Sequence, residues 1–157
     1  MAQKTHPPLA SKQQPLKIRR AKTSDAARIA ELSGQLGYPS TPAEIARRLR
    51  YIKPASQHAV VVAESAGSKI IGWLHVSMEP LLEMDRRAEV NALVVADDER
   101  SRGAGALLLQ HAEGWARQRG CQHMSVRSNI LRERAHKFYI RNGYEHYKTQ
   151  KAFRKAL

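Results

Sequence analysis

Cysteine is all but absent from this sequence: Cys121 is the one thiol among 157 residues. That excludes an internal disulfide and any metal site made of clustered cysteines. Cys121 stands at the start of a candidate strand and reads as a buried structural thiol rather than a reactive one. The histidines, at 6, 58, 75, 111, 123, 136 and 146, fall at no spacing that would hold a metal, so none is expected. Long apolar runs are missing too. Nowhere do about eighteen apolar residues follow one another, and the N-terminal MAQKTHPPLASKQQPLK has no apolar stretch of signal-peptide length. Neither a membrane span nor a secretory leader is expected, which places the protein in the cytoplasm. Acids are scarce, with 14 Asp and Glu against 27 Lys and Arg, for a net charge of +13. Five of those units come from Lys4, Lys12, Lys17, Arg19 and Arg20, in a first twenty residues that hold no acid. Such a field suits a polyanionic ligand and equally nucleic acid or a ribosomal surface, or it serves solubility alone.

What is present is enough apolar sequence, 42% of the chain, for one domain with a buried core. Residues 1–15, with Pro7, Pro8 and Pro15 among polar neighbours, read as a mobile arm, and 16–157 as the domain. Leu16 to Arg20 reads as a first strand. Thr23, Ser24 and Asp25 form a capping cluster ahead of a helix bearing Ala26, Ile29, Ala30, Leu32 and Leu36. Gly37-Tyr38-Pro39 breaks it, and Thr41, Pro42 and Glu44 start a second helix with a capping box and proline at the first helical position. Strands follow at His58–Glu64 and Lys69–Met78, a hairpin by spacing. Trp73 and His75, two residues apart on the second of these, share a face. Then Glu79, Glu83, Asp85 and Glu89 gather within eleven residues, either as exposed loop acids or as a local acidic surface.

The centre of the chain is Glu89–Gly120, EVNALVVADDERSRGAGALLLQHAEGWARQRG. Val90–Val95 has the continuous apolar character of a strand covered on both faces. A helix pattern follows, with Leu107, Leu108, His111, Ala112, Trp115 and Ala116 at three- and four-residue steps and Gly120 as a C-terminal cap. Between them lies Arg100-Ser101-Arg102-Gly103-Ala104-Gly105. Its glycines either relieve crowding at a strand-to-helix turn or let unpaired backbone N–H groups close on a phosphate. Downstream, Gln122–Ser128 reads as a strand, Leu131–Asn142 as a helix, and Tyr144–Tyr147 with Thr149–Phe153 as a closing hairpin.

The R-x-x-G-x-G string after an apolar strand resembles motif A of the GNAT N-acetyltransferase superfamily. A second signature, Asn129 followed by Ala135, Phe138, Tyr139, Gly143 and Tyr144, is similar to that family's later motif. The resemblance is close over about residues 88 to 147, and the element order extends it to roughly 16 to 153. It implies an α/β GNAT fold, a mixed and mainly antiparallel sheet of six or seven strands flanked by about four helices. It also implies transfer of an acetyl group from acetyl-CoA to an amine, with no metal.

Site residues follow from the same resemblance. The backbone of Arg100, Ser101, Arg102, Gly103, Ala104, Gly105 and Ala106 would cradle the pyrophosphate, with the two arginines adding charge. A splay between the fourth and fifth strands would free backbone groups at Leu93, Val94 and Val95 for the pantetheine arm, one of them polarising the thioester oxygen. Asn129 would contact the pantetheine or cap the helix after it. Ala135 and Phe138 fall in the same signature on the cofactor side, Phe138 also reading as core. Tyr139 would protonate the departing thiolate, since a phenol is mostly protonated at neutral pH. Glu89 would take the amine proton, directly or through water, with His75 as a poorer second base. Tyr38, Trp73, His75 and Glu83 are candidates for the acceptor side, or, for Tyr38, Trp73 and His75, ordinary packing.

The leading expectation is a small primary amine attacking directly in a ternary complex, as in small bacterial members related to aminoglycoside 6'-N-acetyltransferases. Three rivals stand beside it: a protein or peptide N-acetyltransferase, an acyl-CoA sensor, and a nucleic-acid-binding protein without turnover. Nucleic acid is not expected, although the basic charge leaves it open; a homodimer is left open as well.

Overall fold

The computed structural model describes residues 15–53 and 57–157; most of the expected arm, 1–14, lies outside the described residues. Nine elements follow in the order β1 (Lys17–Arg20), α1 (Ala26–Leu36), α2 (Pro42–Tyr51), β2 (His58–Glu64), β3 (Ile70–Leu81), β4 (Met84–Val95), α3 (Ala104–Arg117), β5 (His123–Val126) and α4 (Glu133–Arg141). The strands form one sheet in sequence order, antiparallel from β1 to β4 and parallel between β4 and β5. The α3 crossover supplies the parallel connection, as such pairs require.

Two apolar layers cover the sheet. On one face Val61, Ala63, Ile71, Leu74, Val76, Ala88 and Val90 meet Leu108, Leu109, Ala112 and Ala116 of α3, with Phe138, Tyr139 and Tyr144 at the margin. On the other, Val62, Ile70 and Val94 meet Ile29, Leu32 and Ile45 of α1 and α2. Alternate residues of a strand point to opposite faces, so the continuous apolar runs of β2 and β4 are those of strands sandwiched between helices. Capping is as the sequence indicates for α2 but not for α1: Thr23, Ser24 and Asp25 form a short 3-10 turn of their own, and the Asp25 side chain makes no capping bond to α1. Asp25 precedes α1 and accepts from the Lys22 N–H at 2.7 Å. Thr41 and Glu44 exchange bonds of 2.8 and 3.2 Å at the start of α2. Gly37 closes α1 in the left-handed region, at φ 91°.

The sheet has five strands, not six or seven. The expected closing hairpin does not form: residues 144–157 carry no strand. Between Tyr147 and Phe153 the residues are Lys, Thr, Gln, Lys and Ala, and the two aromatics are 66% and 91% exposed. Too little apolar surface is buried there to offset ordering the backbone.

The hairpin of β3 and β4 runs longer than expected, pairing Met78 with Ala88, Glu79 with Arg87 and Leu81 with Met84. Pro80 hides it in the sequence, because proline counts against a strand, yet here it sits at a register shift where no ladder donor is needed. The buried stripe of α3 is also displaced. Leu107 and His111 face solvent, while Ala104, Leu108, Leu109, Ala112 and Ala116 face the core. β5 ends at Val126 rather than Ser128, and α4 starts at Glu133 rather than Leu131.

Candidate active site

β4 and β5 pair only from Arg87/His123 to Val90/Val126, and beyond this point β4 runs on alone to Val95. The Ala96 N–H donates to Ile71 O of the β3 side at 2.8 Å. Because backbone bonding alternates along an antiparallel strand, Val94 and Ala96 bond towards β3, and Leu93 and Val95 turn their N–H and C=O groups the other way, into the gap β5 has left. Val95 O takes only a bond from Arg100 Nε, at 3.3 Å. The strands part where the splay is expected, but only Leu93 and Val95 are turned into the gap: Val94, expected with them, has its backbone groups taken up by β3.

The gap opens on the loop before α3. Ser101 and Gly103 are both left-handed, at φ 67° and 84°. The first intrahelical bond runs from the Leu107 N–H to Gly103 O, leaving the N–H groups of Ala104, Gly105 and Ala106 without an acceptor among the described residues. Nothing lies within 4 Å of where a side chain on Gly103 would stand. Unpaired donors facing an open space at a helix N-terminus fit a phosphate. Neither arginine is a spare charge here: Arg100 pairs with Asp97, and Arg102 with Glu99 at 2.8 Å. The unsatisfied donors of the loop are backbone groups.

Gly105 serves a different purpose. A Cβ there would stand 3.2 Å from the ring of Phe138, so the missing side chain lets α4 close on the start of α3. Phe138 packs edge-on to Tyr139 at 5.2 Å between centroids, and Tyr139 edge-on to Tyr144 at 5.7 Å. Burial raises the Tyr139 pKa, only partly opposed by the Arg132 charge. Its hydroxyl has no hydrogen-bond partner among the described residues. Asn129 lies on the exposed turn between β5 and α4, where its Oδ1 accepts from the Leu131 N–H at 2.9 Å. It caps that turn two residues away, not α4 itself. Ala135 is half-buried on α4.

On the opposite face of the sheet the polar residues converge. The side chain of Glu89, 16% exposed, pairs with Arg127 Nε at 2.5 Å. It lines a groove with Arg87, Arg127, Ser125, Lys148 and Gln150. Nearby, His58 Nδ1 and His75 Nε2 are 3.1 Å apart, and Asn91 donates to the buried Ser77 hydroxyl at 2.8 Å. Burial, with the His58 charge second, lowers the His75 pKa to about 4, so its imidazole is neutral at physiological pH. Trp73 packs against the α1–α2 core with no partner for its Nε1. Tyr38 is exposed at the α1–α2 turn. Glu83 is exposed at the tip of the β3–β4 hairpin, away from the groove, and the structure does not bring it to Glu89.

The fold has counterparts among known proteins. The model of the acetyltransferase (GNAT) family matches residues 26–144. The chain belongs to that family. An N-acetyltransferase of Bacillus subtilis, YhfO, is 30% identical over 135 residues, 83% of this chain and 90% of that protein. The aminoalkylphosphonate N-acetyltransferase of Salmonella typhimurium is 34% identical over 87 residues, 54% of this chain and 56% of that protein. The fold matches the aminoglycoside N-acetyltransferase AAC(6')-Iy in complex with CoA at a TM-score of 0.81 and 19% identity, over 95% of this chain and all of that one. The chain is thus a GNAT N-acetyltransferase, and no helix among its described residues is long and apolar enough to cross a membrane.

Several residues that the fold brings to these positions are not evident from the sequence. Arg127, Lys148 and Gln150 reach Glu89 only through the fold. His58 reads as an ordinary strand residue until β2 and β3 pair. Arg132 donates to Leu36 O at 2.5 Å, tying the turn before α4 to the C-terminus of α1. A cation there also complements the helix dipole. Gly72 was detectable as a glycine inside an apolar strand, the usual mark of close backbone approach.

Proposed function

We propose that this acetyltransferase transfers the acetyl group of acetyl-CoA to a primary amine of a small molecule by direct attack of the amine. The observation that carries the reading is the parting of β4 from β5 beyond Val90, which leaves the Leu93 and Val95 backbone groups without a strand partner beside the unpaired N–H groups of the loop before α3. When bound, the cofactor supplies an activated acyl group as a thioester. The N–H groups of Ala104, Gly105 and Ala106 hold its pyrophosphate, and those of Leu93 and Val95 align the pantetheine arm and polarise the carbonyl. Asn129, Ala135 and Phe138 border the same arm.

The amine approaches from the α1–α2 side. Glu89 takes its proton as the C–N bond forms, through the carboxylate oxygen that Arg127 does not hold. Tyr139, kept protonated by burial, gives a proton to the departing sulfur. The products are an amide and free coenzyme A thiol, so the proton count closes. Neutral His75 accepts a hydrogen bond from the amine and does not repel a cation, and Trp73 and Tyr38 frame the entry. The sequence relative from Salmonella typhimurium acts on an aminoalkylphosphonate according to its name, which supports a small amine over a protein.

Thiol release from acetyl-CoA across aminoglycosides, polyamines, amino acids, aminoalkylphosphonates and basic peptides tests this, with acetylated product identified by mass spectrometry. Amine-dependent release with a small molecule is expected. Release with peptides alone would redirect the reading to a protein acetyltransferase, and cofactor binding with no release to any amine would make the chain an acyl-CoA sensor.

A further inference from the structure

Resting on that transfer reading, we infer that the acceptor carries an anionic group a short chain away from its amine, a phosphonate, phosphate or carboxylate, held by Arg87 and Lys148 while Glu89 takes the amine. The outward face of β4 presents Asp85, Arg87 and Glu89, and β5 sets His123 beside Arg87 and Ser125 beside Glu89. The groove at Glu89 is lined by three cations, Arg87, Arg127 and Lys148, and by one carboxylate. That carboxylate already pairs with Arg127. Neither Arg87 nor Lys148 forms an ion pair among the described residues: Glu79 stands opposite Arg87 on β3 without bonding to it, and Lys148 Nζ rests 5.3 Å over the Tyr147 ring. An adjoining cavity of about 480 Å³, of the size that takes small molecules, adds Asp85 and His123. Cations still outnumber carboxylates across both.

A lining of one carboxylate and two uncompensated cations complements a molecule carrying both an ammonium and an anion. A simple amine leaves Arg87 and Lys148 facing it unneutralised. A polycation meets Glu89, already paired with Arg127, and Asp85, and is opposed by the uncompensated charges of Arg87 and Lys148. The cofactor's own phosphates do not explain the cations, because the N–H cradle lies past Val95, about 20 Å along β4 from Glu89 at ~3.3 Å per residue.

The test is thiol release with amines of matched chain length that differ only in their far end: phosphonate, carboxylate, hydroxyl, methyl and a second amine. A kcat/KM about tenfold or more higher for the anionic members than for the hydroxyl and methyl ones is expected, the range of a charge-assisted hydrogen bond. The phosphonate and carboxylate arms identify which anion the groove takes. In Arg87→Gln and Lys148→Gln the anionic-to-uncharged ratio is expected to fall towards one. Taking the ratio within each variant cancels any loss of folded enzyme. Transfer that prefers the uncharged or diamine members, or a ratio that survives both substitutions, overturns the inference while leaving acetyl transfer standing. Binding of acetyl-CoA with transfer to no amine overturns both.

Discussion

Replacing Tyr139 by Phe removes one oxygen and leaves the ring where it is. The ring is fixed by edge-on contacts with Phe138 at 5.2 Å and Tyr144 at 5.7 Å, neither of which uses the hydroxyl. The hydroxyl has no hydrogen-bond partner among the described residues, so the substitution orphans no donor or acceptor of the protein. Stability is therefore expected to stay within about 0.5 kcal/mol, and coenzyme A affinity within a few fold. Loss of a positioned acid, in contrast, typically costs about 10²–10⁴ in rate, or roughly 3–5 kcal/mol of barrier.

The pH dependence carries a second signature. Burial raises the Tyr139 pKa above the ordinary phenol value of 10.0. The group must be protonated to act, so kcat should hold through neutral and mildly alkaline pH and decline only above that value. Saturating thiol-release kinetics, with coenzyme A binding followed by calorimetry and unfolding by thermal melt, separate the terms. A variant with kcat within about threefold of the parent would refute the acid assignment, since it falls far below the general-acid range. A drop accompanied by a lost melting transition would instead mean that the ring contacts depend on the hydroxyl.

Gly72→Ala tests the packing beneath the site: its Cβ would stand 2.8 Å from the Val94 carbonyl oxygen and 3.3 Å from Leu108 Cδ1. Overpacking of this kind costs about 1–3 kcal/mol, or a fall of roughly 2–12 °C in Tm for a chain of this size, and an unchanged Tm would contradict the geometry. His75 gives a pH dependence. Its folded pKa, about 4, lies below the ordinary 6.5 because of burial and then the His58 charge, so the unfolded chain takes up a proton that the folded one refuses. Stability contributed by the neutral ring is present above about 6.5 and is lost as pH falls from there towards about 4. Urea unfolding of the parent and of His75→Gln should show the parent losing more stability over that interval, and parallel curves would rule it out.

The parts of this fold legible in sequence are those whose determinants lie within one turn or one strand. The capping box of α2 involves Thr41 and Glu44 alone, and the loop before α3 is set by consecutive residues whose backbone N–H groups are left without acceptors among the described residues. The R-x-x-G-x-G string could therefore be read without knowing what packs around it, although the reading credited Arg100 and Arg102 with free charge that Asp97 and Glu99 take up. The α3 stripe went wrong by one position because Leu107, Leu108 and Leu109 offer two overlapping apolar faces, and only the sheet beneath decides between them. The same limit explains the missing strands: Tyr147 and Phe153 look like strand residues until their burial is known, and tertiary context outweighs β propensity.

Charge is the clearest case. A net +13 is visible at once, but its meaning depends on where it concentrates. Arg87 and Arg127 come together because β4 and β5 pair in parallel across the α3 crossover, and Lys148 joins them from beyond α4. The acids that look like a cluster in sequence, Glu79, Glu83, Asp85 and Glu89, are dispersed by the β3–β4 hairpin. Alternation along β4 puts Asp85 and Glu89 on one face with Arg87 between them, and Glu83 goes to the tip. What reads along the chain as a local acidic surface becomes, once folded, two carboxylates, Asp85 and the paired Glu89, beside Arg87, Arg127 and Lys148. That inversion favours an acceptor bearing both signs of charge over the aminoglycoside suggested by family resemblance.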